Sequence, residues 1–571
     1  MSKYEETPNV PTPDDQHHDR VPRPTKTVIV GGVAGGMSAA TRLRRVDEDR
    51  PIVVFERGEH VSFANCGLPY HVGGVIEERE DLLLTSPPEL ERRFGIEVRT
   101  RHEVVSIDRD RRVVTVRDIE ADQEFEQAYD ALVLATGASP VRPPLPGIER
   151  ALSLRDVADL DRIVALLDSG EIRTAAVLGG GFIGVELAEN LVHRGLSVSL
   201  VELADQVLPP LDPEMAAIVE QRLSDHGVAL HIGTGAARIT DDAVILDDGS
   251  TVPADVVFAA IGVSPESRLA RDAGLELGPR GGIVVDDAQR TSDPHIYAVG
   301  DAALKRDALD GEPAMVALAQ TANRHGRLVA DAIVGRPVKA QPVLGTAVVG
   351  VFGLTVATVG WSEKRLRAAG RKYRAIHTHP NSHAGYYPGA ERMDLKLLVD
   401  PDTDAILGAQ GVGASGVDKR IDVIATAMRG ELTASDLGDL ELAYAPQFGS
   451  AKDPVNMLGL IADNLAAGKA ETIQWHEVEE RVSAGATLVD VRTDAEVARG
   501  AIPGSLHISL DELRVRHQEL PAGPLVVYCA AGQRGHTAAR MLTQHGHDAV
   551  NLDGGYLTWA QGNRLAGPLS A

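Results

Sequence analysis

The chain has 571 residues, room for about three to five folded units at roughly 100–200 residues each. Its formal net charge of −25 argues against nucleic acid and anionic membrane as partners, and no run approaches the ~18 uninterrupted apolar residues of a membrane span. With only two cysteines, Cys66 and Cys529, a disulfide scaffold is excluded and a reducing compartment, the cytoplasm, is implied.

Residues 1–25 are proline-rich and charged with no apolar centre, so they read as a disordered tail and not a signal peptide; His17 and His18 belong to it. A β-branched run from Lys26 to Val30 then leads into Gly31-Gly32-Val33-Ala34-Gly35-Gly36. A helical stretch from Met37 to Arg45 follows, then a second strand from Ile52 to Phe55 that ends at Glu56. Leu132–Ala135 is a strand closing on Thr136-Gly137. The βαβ pattern recurs downstream: a strand from Ala176 to Leu178, the turn Gly179-Gly180-Gly181-Phe182-Ile183-Gly184, a helix to about Arg194, and a strand from Ser197 to Val201 ending at Glu202. Another strand, 257–261, ends at Gly262, and the run 291–301 places Asp301 at a strand terminus. A helix is expected from Ala314 to Ile333, with strand runs at 346–352 and 395–398. A polar linker at 466–472 precedes a small domain in which strands at 487–491, 525–528 and 550–552 alternate with helices.

The glycines of such turns let the backbone approach a pyrophosphate at a helix N-terminus, and the strand-ending glutamates suit ribose hydroxyls. The first turn departs from the pattern, because Val33 stands where its second glycine is expected.

The ordered set of both turns, the strand ends at Thr136-Gly137 and Gly262, and the late Asp301 resembles the two-dinucleotide-binding-domain flavoprotein superfamily over roughly residues 26–465. The resemblance implies an α/β architecture with FAD on the first Rossmann-like domain, 26–150 and 277–340, and NAD(P)H on the second, 151–276. FAD contacts fall to Gly31, Gly32, Val33, Ala34, Gly35, Gly36, Glu56, Thr136, Gly137 and Asp301, and nicotinamide-nucleotide contacts to Gly179, Gly181, Gly184, Glu202 and Gly262. Glu202 would accept from both ribose hydroxyls of NADH and repel the 2′-phosphate of NADPH. No arginine follows it closely, so NADH is favoured, with NADPH as the alternative.

Cys66 has no second cysteine nearby, so it cannot work as an internal redox pair. A lone cysteine beside a flavin alternates between thiolate and a mixed disulfide, persulfide or sulfenate, with the thiolate held by flavin contact and local donors. The segment Ser62-Phe63-Ala64-Asn65-Cys66-Gly67-Leu68-Pro69-Tyr70 resembles the coenzyme A-disulfide reductases and the related coenzyme A-persulfide and polysulfide reductases. Further matches at 383–389, 418–423, 443–448 and 452–454 resemble the family's α+β dimerisation domain, 341–465, and imply a homodimer. By that resemblance Tyr386 and Tyr444 reach the partner's active site, while Phe448 stands where the family often has a second tyrosine. Ser38, Arg42, Arg45, Ser62, Asn65, Asn323 and Lys452 match coenzyme A contacts; guanidinium groups suit its phosphates.

Cys529 ends a strand and opens the small-residue loop Cys529-Ala530-Ala531-Gly532-Gln533-Arg534-Gly535 before a helix. Backbone N–H groups there favour a thiolate or persulfide, and Arg534 closes the loop. Residues 473–571 resemble a rhodanese domain, with Ala501 in place of a usual histidine. Inactive rhodanese folds usually lack the cysteine, so sulfur transfer is expected here. His377, His379 and His383 have no cysteine or acidic partner at metal spacing and read as ordinary polar residues; no metal is expected.

Two other readings stay open. One is an NADH peroxidase or oxidase with Cys66 cycling as a sulfenate. The other is a sulfurtransferase or sulfur-trafficking protein whose flavin module is regulatory.

Overall fold

A computed structural model describes residues 26–564; the expected tail and the last seven residues of the chain lie outside the described residues. The first sheet has five parallel strands: β1 (Thr27–Val30), β2 (Ile52–Phe55), β3 (Glu97–Arg99), β4 (Ala131–Leu134) and, far along the chain, a strand at Ile296–Ala298. It is ordered β9-β4-β1-β2-β3, where β9 is that last strand. The β1, β2 and β4 runs are buried throughout, and apolar but for Thr27, because each is covered on both faces. The helix α1 (Ala34–Val46) and a helix at Ala319–Ile333 pack together on one side. They come close enough that a Cβ on Gly326 would stand 2.3 Å from the Gly35 carbonyl oxygen.

The second sheet, inserted between β4 and β9, is also parallel. Its strands are β5 (Thr174–Leu178), β6 (Ser197–Glu202), β7 (Ala229–Ile232) and β8 (Val256–Ala259), in the order β7-β6-β5-β8. In both sheets the strand order reverses beside the strand that carries the glycine turn. In doubly wound sheets that crevice, at the carboxyl ends of the strands, takes the ligand.

The short helix α2 (Leu68–Val72) after Cys66 packs against α3 (Phe182–His193) of the second fold, whose other helix α4 (Pro213–Asp225) faces the dimerisation and C-terminal domains. The helix expected from Ala314 begins later, as α5 (Ala319–Ile333): Pro313 and Ala314 pair with Lys305 and Arg306 as a short ladder, and Leu318 at the helix start is extended.

An antiparallel sheet follows, made of β10 (Ala347–Val351), β11 (Leu354–Gly360), β12 (Arg374–Thr378), β13 (Met393–Val399) and β14 (Ile406–Gly413), ordered β10-β11-β14-β13-β12. The helices α6 (Val417–Arg429) and α7 (Pro454–Ala466) share its apolar core. Arg420 and Asp453 form a buried ion pair (2.8 Å), and Asp453 also caps α7.

The C-terminal domain is a third parallel sheet, β15 (Thr472–Ile473), β16 (Thr487–Asp490), β17 (Leu506–His507), β18 (Pro524–Tyr528) and β19 (Asp548–Leu552), in the order β15-β19-β18-β16-β17. Its helices α8 (Gln533–Gln544) and α9 (Gly555–Gly562) complete it. The expected fold class, two dinucleotide-binding folds, an α+β domain and a terminal α/β domain, is the one observed. Among the described residues no helix is long and apolar enough to cross a membrane.

Candidate active site: two glycine cradles and two cysteines

The two glycine turns are built alike. Gly31 and Gly179 have φ near +103° and +105°, a region a side chain rarely adopts. A Cβ there would meet the carbonyl oxygens of Ala135 and Ala260 at 2.3 and 2.4 Å. Val33 does not disrupt the first turn: it lies at φ −111° as the residue before α1, the position Gly181 holds before α3. Neither helix has a capping side chain or an acidic residue in its first turn, so the N–H groups and positive dipole end are left for an anion.

Each strand-ending glutamate is fixed by its own turn. Glu56 Oε2 accepts from Gly32 N–H (2.7 Å) and Oε1 from Gly58 N–H (2.8 Å); Glu202 Oε2 accepts from Gly180 N–H (2.6 Å) and Oε1 from Ala204 N–H (2.7 Å). Two N–H donors on each carboxylate keep its charge aimed into the crevice while lone pairs remain for ribose hydroxyls. Thr136 and Gly137 tie the folds together: Thr136 Oγ1 donates to the Glu266 carbonyl (2.5 Å), and Glu266 N–H to that of Gly137 (2.9 Å). Gly262, at φ +122°, ends the facing strand. Asp301 follows β9 in a turn held from below by Lys305, whose buried ammonium donates to the carbonyls of Gly300 (2.5 Å) and Ala303 (2.8 Å). Burial pulls that ammonium down to about 8, partly offset by Asp301. These cradles fit a dinucleotide in each fold.

Cys66 sits in a single 3-10 turn, Asn65–Gly67, at the start of α2, exposed and unpaired. Its segment is clamped to the first cradle by Ser62, which adopts a left-handed φ of 49° and donates its N–H to the Gly32 carbonyl (2.8 Å). That conformation is costly for a residue with a Cβ and persists only where its surroundings hold it. Flavin contact and local donors were expected to favour the thiolate; the protein's own groups work the other way. Among the described residues Cys66 Sγ receives no hydrogen bond, and partial desolvation, then Glu186, then Asp301 push the thiol up. Tyr70, one turn beyond, donates to Glu186 of α3 (2.9 Å).

The candidate coenzyme A residues separate into groups. Ser38 Oγ donates to Asn323 Oδ1 (2.6 Å), joining α1 to α5. One turn further Arg42 is held by Asp331 (2.8 Å), whereas Arg45 is exposed with no ionic partner among the described residues. Asn65 and Ser62 lie beside Cys66; Lys452 is exposed just before α7. Tyr386 and Tyr444 are exposed, with hydroxyls 3.1 Å apart, and Phe448 is exposed near them.

Cys529, only 1% exposed, follows β18. Gly532, at φ +91°, turns its N–H onto Cys529 Sγ (3.2 Å) at the start of α8. Arg534 pairs with Glu496 through both nitrogens (2.8 and 2.5 Å), which draws the Glu496 carboxyl down to about 2.

One feature of the molecule was invisible in the sequence. His377 and His379 do have acidic partners, those of His377 from two other domains and that of His379 from a neighbouring strand of its own sheet. His377 lies between Glu214 of α4 (3.0 Å) and Asp553 of the C-terminal domain (2.6 Å); His379 lies between Asp394 (2.5 Å) and Thr558 of α9 (2.8 Å). Glu214 is also paired with Lys396, fully buried, which reaches Asp212 (2.9 Å) and Glu363 (2.6 Å) as well. Asp212, Glu214 and Glu363 are the one trio of convergent metal-type donors among the described residues, and the Lys396 ammonium already fills the space between them.

Known proteins fall in line with this arrangement. Residues 25–326 match the pyridine nucleotide-disulphide oxidoreductase family, 346–454 its dimerisation domain, and 474–562 a rhodanese-like domain. The coenzyme A disulfide reductase of Staphylococcus haemolyticus is 34% identical over 77% of this chain and 100% of its own. The structure of reduced CoADR-RHD from Bacillus anthracis matches with a TM-score of 0.93 and 47% identity over 95% of this chain and 99% of that one. A NAD-dependent persulfide reductase from A. fulgidus matches with a TM-score of 0.88 and 36% identity over 94% and 100%. Two glycine cradles, a solitary exposed cysteine beside the first and a second cysteine in a terminal rhodanese-like fold thus come together in one chain, which belongs to the pyridine nucleotide-disulphide oxidoreductase family as a flavoprotein of the coenzyme A disulfide reductase type with a C-terminal rhodanese domain.

Proposed function

We propose that the chain is a homodimeric NADH-dependent reductase of the sulfur–sulfur bond of coenzyme A persulfide, coenzyme A disulfide or polysulfide, with Cys66 as its redox cysteine and Cys529 as carrier of sulfane sulfur. The observation that carries it is the isolation of Cys66. Its thiol is exposed, its segment is tied to the first cradle through Ser62 and Gly32, and the only other cysteine is buried in another domain. The sulfur partner of Cys66 must therefore come from a substrate.

The Cys66 thiolate attacks the substrate S–S bond. That bond breaks, hydrosulfide or a thiolate leaves, and Cys66 is left in a mixed disulfide with coenzyme A or, when polysulfide is the substrate, as a persulfide that the same electron pair reduces to thiolate and hydrosulfide. The first cradle, Glu56 and Asp301 would hold FAD, which would supply the relay by which the electron pair of NADH reduces that disulfide. Coenzyme A thiol and the Cys66 thiolate are thereby released. Tyr386 and Tyr444, their hydroxyls adjacent, supply a proton or hydrogen bond to the departing sulfur in the partner's site. Ser38, Asn323, Arg45 and Lys452 face the phosphates and pantetheine arm of coenzyme A, and Arg42 supports them from its pair with Asp331. Glu202, its carboxylate fixed by two N–H groups, selects NADH over NADPH by charge. At Cys529 the Gly532 N–H and Arg534 steady a persulfide.

The test is an anaerobic steady-state comparison of coenzyme A persulfide, coenzyme A disulfide, polysulfide and peroxide, each with NADH and NADPH. Turnover of the sulfur substrates with NADH is expected. Cys66→Ser should abolish all of it, and Cys529→Ser should spare coenzyme A disulfide while weakening sulfane-sulfur substrates. NADH consumption with peroxide alone would overturn the proposal.

A further inference from the structure

The rhodanese domain is not tethered loosely. Its helix α9 rests on α4 of the second dinucleotide fold and on β12 and β13 of the dimerisation domain, and the contact is polar and buried. The centre of the contact is His377. Nδ1 meets Asp553 Oδ2 (2.6 Å) and Nε2 meets Glu214 Oε1 (3.0 Å), so both ring nitrogens face carboxylate oxygens. A carboxylate only accepts, so both nitrogens donate and the ring is an imidazolium. The His377 backbone N–H donates to the same Asp553 oxygen (3.0 Å). All three side chains are at most 5% exposed.

From Asp553 the connection to the cysteine loop is short. Gly554 and Gly555 follow in left-handed conformations, and a Cβ on Gly554 would stand 2.9 Å from His377 Cβ. On Gly555 a Cβ would stand 2.4 Å from the Cys529 carbonyl oxygen, so the backbone there lies against the loop itself. The next two N–H groups hold the loop: Tyr556 donates to the Cys529 carbonyl (2.8 Å) and Leu557 to that of Ala530 (3.0 Å). The peptide that bears the sulfur is thus hung from the start of α9, and the start of α9 is fixed through Asp553 to a residue of another domain.

We infer that His377 of the dimerisation domain is a positioning residue for Cys529, its two-carboxylate clasp between Glu214 and Asp553 setting where the sulfur loop of the rhodanese domain sits. The reductase body therefore completes the sulfur-transfer site. Without the clasp, Asp553 is a buried carboxylate lacking its cation, the Gly554-Gly555 turn is released, and the Cys529 carbonyl loses its fixed donors. A shift of the sulfur by about 1 Å is enough to cost about 100-fold in a group transfer. The inference rests on Cys529 carrying sulfane sulfur only for its activity readout; loop position is read separately.

The experiment uses the full-length flavoprotein and its His377→Gln and Asp553→Asn variants. Sulfur transfer is followed from thiosulfate to cyanide. Cys529 attacks the outer sulfur, the S–S bond breaks and sulfite leaves. Cyanide then takes that sulfur as thiocyanate and returns the thiolate. A pH profile of Cys529 alkylation, read by mass spectrometry, reports the donors around Sγ whether or not sulfur is transferred. NADH-linked reduction of coenzyme A disulfide at Cys66 is the internal reference. Expected in both variants are a loss of sulfur transfer of about 10- to 100-fold, an alkylation profile displaced from wild type, and Cys66 turnover within about twofold of it. A double variant, His377→Gln with Asp553→Asn, removes the orphaned charge should His377→Gln fold poorly, and is expected to show the same displacement. An unchanged alkylation profile in the variants overturns the inference, as does a parallel fall of both activities. Wild-type protein that transfers no sulfur counts against the role proposed for Cys529, and the alkylation comparison alone then decides the role of His377.

Discussion

Tyr70 donates its phenol proton to Glu186 across 2.9 Å, linking the helix that follows Cys66 to the glycine-turn helix of the second dinucleotide fold. The pair ties a cysteine segment to a helix of the other fold, and its carboxylate is one of the charges that hold the Cys66 thiol up. Glu186→Gln is therefore expected to lower the pH at which Cys66 is half-alkylated by iodoacetamide, measured on full-length protein. Tyr70→Phe, which keeps the charge and removes its donor, should not lower it. An unchanged profile in Glu186→Gln would show that desolvation alone sets the thiol.

Glu202 is expected to set nucleotide choice. Its carboxylate is fixed by Gly180 and Ala204 N–H groups, so Glu202→Ala removes both a ribose acceptor and the repulsion toward a 2′-phosphate. Loss of hydrogen bonds to a charged group, about 1.5 kcal/mol, corresponds to about tenfold. The ratio of kcat/KM for NADPH to that for NADH should rise by about that factor, mostly through NADH.

The two arginines of α1 should behave differently. Arg45 has no ionic partner among the described residues, so Arg45→Ala is expected to raise KM for coenzyme A substrates by about tenfold while leaving inorganic polysulfide unaffected. Arg42→Ala breaks the pair with Asp331, which keeps Arg336 at 2.9 Å. Its effect should fall mainly on thermal stability, and modestly. Equal KM changes in both variants would assign both guanidinium groups to the phosphates.

Lys396 pairs with three buried carboxylates, and Lys396→Met leaves them facing one another. Breaking a buried ion pair from one side costs about 3–5 kcal/mol, so a large fall in Tm is expected at pH 7. The triple replacement that also makes Asp212 and Glu363 amides should recover much of it. Full stability in Lys396→Met would mean that the carboxylates are already protonated.

The interdomain clasp has a pH signature. Its two carboxylates and then their charges raise His377 to about 9, against burial, which works the other way. A group raised on folding contributes stability that is complete below its unfolded value, about 6.5, and lost as pH climbs through the folded one. Glu214 is lowered on folding, with Lys396 and His377 outweighing its burial, so its share is lost on acidification instead. Hydrogen-exchange protection of α9 should be greatest near neutrality and fall as pH rises toward 9. His377→Gln should flatten the alkaline limb alone.

Much of the site was legible in the order of residues. The glycine turns are local devices: Gly31 and Gly179 must accept positive φ, Gly36 and Gly184 must pass close under them, and strand, turn and helix all lie within one short stretch of chain. The loops around Cys66 and Cys529 are equally local, because each thiol's nearest backbone is set by its own few neighbours. Even the departure at Val33 was visible, although its harmlessness was not, since that depends on a backbone angle.

What the linear chain could not display is pairing across domains. His377 reads as an ordinary polar residue because its carboxylates stand 163 and 176 positions away, in two other domains. Lys305 gives no sign that it lies beneath Asp301, and Arg42 none that it is already paired with Asp331. Local backbone chemistry is written in consecutive residues and survives as a motif. Buried charge pairing depends on which surfaces exclude water together, and only the folded arrangement of four domains decides that.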